Sequence, residues 1–93
     1  MTQSLIIIAA DHPCVPGHFP GNPIVPGALL LDAAVAAIAG AAPGVVFKAV
    51  KFQHVVRPGE AVALSWDAQA SGLVRFEGRL QDGAVAFSGS LTL

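Results

Sequence analysis

The chain has 93 residues, of which 54% are hydrophobic and 12% charged, with a net charge of −1. That charge gives no sequence-wide field for nucleic acid, and no apolar run reaches the roughly 20 residues a spanning helix needs; the longest, 28–39, is broken by Asp32. The length fits one small domain over 1–93 with a thin core, so this much apolar surface predicts a large interface, most simply a two-fold homodimer.

Residues 4–10 (SLIIIAA) form a short apolar run rich in β-branched side chains and are predicted as a strand. Five of the seven prolines (Pro13, Pro16, Pro20, Pro23, Pro26) then fall within 11–27 with Gly17 and Gly21. Neither helix nor central strand persists through such a segment, which reads as a stiff loop. Pro26 suits a first helical turn and Gly40 a stop, with ALLLDAAVAAIA between them. This helix is apolar on every side except at Asp32, the pattern of a helix buried all round.

After a loop at 41–44, residues 45–57 hold two or more Val/Phe runs and end in the turn Arg57-Pro58-Gly59-Glu60. Val62, Leu64 and Trp66 alternate with Ala63, Ser65 and Asp67. Val74, Phe76, Gly78 and Leu80 alternate with Arg75, Glu77 and Arg79. Asp82-Gly83 marks a hairpin. The last strand sets Val85, Phe87, Leu91 and Leu93 on one side and Ser88, Ser90 and Thr92 on the other. The prediction is an α+β domain, one long buried helix wrapped by an antiparallel β-sheet.

All five basic residues lie at or after Lys48, so the N-terminus lacks the charged start of a signal peptide, and the cytoplasm is the expected location. Cys14 is the single cysteine, which excludes an internal disulfide and a cysteine-based metal site.

Two groups stand out chemically. Asp32 is a carboxylate whose helical neighbours Ala28, Leu29, Val35 and Ala36 offer no hydrogen bond, so its partner must come from the loop or another subunit. It points either to a functional acid or to an Asp at a solvent-facing seam. His18 sits among glycine and proline turns, a stiff setting that suits a general base, although an exposed loop histidine is also often inert. Gly27 opens the helix, where unpaired N–H groups and the dipole favour a developing oxyanion.

The stretch HFPGNPIVPGALLLDA, 18–33, resembles the signature of the β-hydroxyacyl-acyl-carrier-protein dehydratases of fatty-acid synthesis, the FabA/FabZ type. In that family a histidine and an acid fourteen positions later form the catalytic pair, the spacing of His18 and Asp32. The resemblance continues through KFQHVVRPGE, 51–60, and GLVRFEGRLQDGAVAFSG, 72–89. The short chain and the tripeptide Asp11-His12-Pro13 are similar to a compact subgroup of aryl-polyene-type pathways. One departure is Ala36, where relatives carry a glutamine, so the acid lacks a polar neighbour on its own helix.

The resemblance implies a hot-dog fold with two sites at a dimer interface, His18 of one chain facing Asp32 of the other. It implies dehydration of a (3R)-3-hydroxyacyl thioester to the trans-2-enoyl thioester in fatty-acid or polyene-type synthesis. His18 would take the α-proton, Asp32 would hold or protonate the departing hydroxyl, and the Gly27 N–H would polarise the carbonyl. Val25, Leu29, Leu30 and Phe19 would wall the acyl chain. No metal or redox cofactor is expected, since phosphopantetheine arrives with the substrate on acyl carrier protein or coenzyme A. Lys48, Lys51 and Arg57 are docking candidates for an acidic carrier. Arg75 and Arg79 are read first as solvating a sheet face beside Glu77. His12 and His54 are read as structural or solvent residues. A hot-dog thioesterase, a non-catalytic acyl-binding subunit and a heterodimer with a related chain remain open.

Overall fold

The computed structural model describes residues 2–8, 24–40 and 44–93. The element order is β1 (Thr2–Ile7), α1 (Gly27–Ala39), β2 (Val46–Phe52), β3 (Ala61–Ala68), β4 (Leu73–Arg79) and β5 (Val85–Thr92). The strands form one sheet in the order β1-β3-β4-β5-β2, every pair antiparallel. β1 and β2 are therefore its edges. This is the predicted α+β arrangement.

The register decides what faces the core. Leu64 pairs with Gly78, Gly78 with Phe87 and Phe87 with Phe52, so these residues share one face. Val62, Leu64, Val74, Phe76, Phe87 and Leu91 are buried there with Ile6, and Leu30 and Ala34 of α1 pack on them. No polar side chain is buried among the described residues. A row of rings crosses this face: Phe47 meets Phe76 at 6.1 Å, Phe76 meets Phe87 at 6.2 Å, and Phe87 meets Phe52 at 6.5 Å. The row starts and ends on β2, joining that edge to the core. At the β4–β5 turn Gly83 has φ 91°, a conformation that disfavours a side chain, and Asp82 Oδ1 accepts from the Ala84 N–H at 2.9 Å.

Four expectations change. The first strand is Thr2–Ile7: it starts before residue 4 and ends where the Ile8 carbonyl takes the Gly59 N–H at 2.8 Å, and residues 9 and 10 of the expected 4–10 lie outside the described residues. Residues 45–57 give one strand, which ends at Phe52. A bulge in β5 terminates it: Gly78 pairs with Phe87 but Arg79 with Val85, leaving Ala86 extra. Leu93 lies past the last strand and is 61% exposed. Finally, α1 is not buried all round. Ala28, Asp32 and Ala36, four residues apart, are exposed, about half a turn from the Leu30/Ala34 line.

All seven residues of β2 are exposed, among them Val46, Phe47, Val50 and Phe52, and among the described residues no strand pairs with the side of β2 away from β5. No helix among the described residues is long and apolar enough to cross a membrane.

Phe87 is fully buried and touches two other rings. Phe87→Ala is expected to cost about 3–5 kcal/mol in a urea unfolding experiment; a loss below 1 kcal/mol on that scale would contradict the core described.

Candidate active site

The site is assembled where α1 begins. Pro26 is the N-cap, and its carbonyl accepts from Leu29 N–H at 3.0 Å and Leu30 N–H at 3.3 Å. No side chain caps this end and no acid lies in the first turn, so the Gly27 and Ala28 N–H groups are left at the positive end of the dipole without a side-chain cap. Just before it, Val25 N–H donates to the Val56 carbonyl at 2.7 Å, and both residues are buried. The segment after β2 is thereby fastened to the helix start.

Gly27 has a steric reason to be glycine. A Cβ there would lie 2.7 Å from Cζ of Phe52, whose ring rests against the helix backbone. Beside this contact lies a pocket of about 420 Å³. Ile24, Val25 and Leu30 form one wall, and Phe52, Val55 and Val56 the other. Gln53 and His54 are its polar lining residues, both exposed. His54 Nδ1 is 2.9 Å from the Val85 carbonyl.

The structure brings Gly27 and Val25 together in this pocket, with Leu30. Leu29 is half-buried against the core instead. Asp32 is exposed in the protomer, about 7.5 Å further along the helix axis from Gly27. The sheet takes the Leu30/Ala34 side of α1, and Asp32 is on the other. His18 and Phe19 lie outside the described residues. Lys48, Lys51 and Arg57 are exposed, Lys48 at a register shift in β2. Arg79 pairs with Glu77 on the sheet surface, as the solvating role requires. Among the described residues no group of three or more His, Cys, Asp or Glu is placed to hold a metal ion.

Phe52 and Gln53 enter the site without having been singled out in the sequence, and His54, read there as structural or solvent, lines it beside them. The available signal was the polar Gln53-His54 pair interrupting a Val/Phe run just before the Pro-Gly turn.

Residues 2–90 match the model of the ApeI-like family, described as ApeI dehydratase. The chain belongs to the ApeI-like dehydratase family. A 3-hydroxyacyl-[acyl-carrier-protein] dehydratase FabZ from Chloroflexus aggregans is 42% identical over 69 residues, 62% of this chain and 48% of that protein. The chain thus spans about half the length of this curated relative. Among solved structures, the dehydratase heterocomplex ApeI:P from Xenorhabdus doucetiae superposes with a TM-score of 0.78 at 26% identity, covering 97% of this chain and 83% of that one. The R-hydratase PhaJ1 from Pseudomonas aeruginosa shares the fold, with a TM-score of 0.56 at 19% identity, covering 97% of this chain and 76% of its own. With its helix and five-stranded antiparallel sheet, this ApeI-like chain has the hot-dog fold.

Gly27→Ala should cost at most about 1 kcal/mol, because the half-exposed Phe52 ring can swing away. The displaced ring should refill the pocket, seen as a changed Phe52 ring resonance. An unmoved ring would contradict the Gly27–Phe52 contact.

Proposed function

We propose that this chain removes water from a 3-hydroxyacyl thioester carried on an acyl carrier protein or coenzyme A. The observation that carries the reading is a helix start without a side-chain cap beside an apolar pocket of about 420 Å³. That arrangement suits a thioester carbonyl: first-turn N–H groups meet its oxygen as enolate charge develops, and apolar walls keep water from competing. Membership of the ApeI-like family and the FabZ relative's name support the same chemistry.

In this mechanism neutral His18 removes the proton from C2 and the electron pair moves toward the carbonyl, held at Gly27. The C3–O bond then breaks with Asp32 holding the departing hydroxyl, and the proton that His18 took from C2 passes to that hydroxyl, so both side chains end as they began. The net loss is one water, giving the 2-enoyl thioester. Neither metal nor redox cofactor enters. The phosphopantetheine arm belongs to the substrate, and Lys48, Lys51 and Arg57 are the docking candidates for an acidic carrier. We place the reaction in the cytoplasm.

Asp32 on the exposed side of α1 and the open apolar edge of β2 both favour a two-chain unit. In it, His18 of one protomer faces Asp32 of its partner. The partner is a second copy or a related hot-dog chain, an option favoured by the ApeI:P heterocomplex. Ala36 beside the acid favours the second reading, a non-catalytic acyl-binding subunit.

Incubation with a 3-hydroxyacyl pantetheine thioester tests this, with enoyl absorbance and free thiol followed separately. Enoyl without thiol is expected. Thiol alone means a thioesterase, and binding with neither product means the acyl-binding subunit. His18→Ala and Asp32→Asn should each lower kcat by about 10²–10⁴ without changing the urea midpoint. Wild-type rates in both variants would overturn the assignment.

A further inference from the structure

The bulge in β5 has a consequence for His54. Carbonyls of successive strand residues ordinarily point to opposite sides, but with Ala86 extra the Val85 and Ala86 carbonyls both reach the segment after β2. Ala86 O accepts from Gln53 N–H at 2.8 Å and His54 N–H at 3.2 Å, and Val85 O accepts from the His54 ring at 2.9 Å. His54 is held by its main chain and its side chain together.

The ring contact also fixes the tautomer. A carbonyl only accepts, so Nδ1 carries the proton, and in the neutral ring Nε2 is left as an acceptor. His54 and Gln53 are exposed, whereas Val25, Leu30 and Val56 of the same pocket are buried. Gln53 and His54 thus form a rim with Phe52 and Val55, and Val25, Leu30 and Val56 form the interior. A thioester with its acyl part inside must bring its carrying arm past the rim, and that arm presents amide N–H donors.

We propose that His54 is a substrate-binding residue whose Nε2 accepts a hydrogen bond from an amide N–H of the pantetheine arm. The inference rests on the thioester reading above and adds which part of the substrate this pocket selects.

The test compares a 3-hydroxyacyl pantetheine thioester with a simple alkyl thioester of the same acyl group, which lacks arm amides. His54→Asn keeps an N–H able to reach the Val85 carbonyl and removes the Nε2 acceptor. It should raise KM for the pantetheine thioester about five- to tenfold, the loss of one hydrogen bond. KM for the alkyl thioester should rise less by that factor, and the urea midpoint should hold. Equal KM changes for both substrates, or none, would overturn the inference.

Nitrogen-15 NMR of wild-type histidines titrated with pantetheine alone gives a reading independent of turnover and of how the variant folds. A saturable shift of the His54 Nε2 signal is expected, and an unmoved signal contradicts the proposal. An enzyme inactive on both thioesters whose Nε2 signal still responds to pantetheine would refute dehydration and leave arm binding standing.

Discussion

The hydrogen bond from Val25 N–H to the Val56 carbonyl holds this site together. It joins the last residues before α1 to the segment that leaves the β2 edge, two parts of the chain that share no secondary structure. Around it, Phe52 lies on Gly27, Val25 and Val56 are buried, and His54 is anchored on β5. The helix start and the pocket walls are consequently tied into one unit. The proposed dehydration would draw on that arrangement, because groups aimed at a developing oxyanion stabilise it best when they are already in place.

The same geometry explains why the protomer looks incomplete. A sheet that covers one side of α1 leaves the Ala28/Asp32/Ala36 side exposed, and a terminal strand with four exposed large apolar residues leaves an edge open. Neither feature suits an isolated chain, since edge strands invite pairing and exposed apolar patches mark interfaces. Both are what a two-chain site requires, with the acid offered outward and the apolar edge available to bury. In the proposed two-chain unit the high hydrophobic content would be shared by the pair.

Much of this was legible in the sequence where signals are local. Pro26 and Gly40 bracket the helix to within a residue, and Asp82-Gly83 places the last hairpin. The alternation in Val74-Arg75-Phe76-Glu77 sets the facing of β4, since one side of that strand is core and the other solvent. The first strand was misplaced because the Ile6-Ile7-Ile8 run does not alternate, and only pairing with β3 sets its limits. The exposed side of α1 was missed because an alanine-rich helix carries too few large residues to mark which side faces the sheet. His54 was passed over because its anchor on Val85 lies 31 residues away and depends on a bulge that no short pattern announces.

Mixing two inactive variants tests the shared site most directly. In a dimer of one His18→Ala chain and one Asp32→Asn chain, one site has lost both groups and the other keeps both. After random re-pairing of equal amounts, half the dimers are of this kind, and activity should return to about a quarter of the wild-type value. A mixture as inactive as either variant alone, with re-pairing confirmed by mass, would show that both groups act within one chain and would contradict the account.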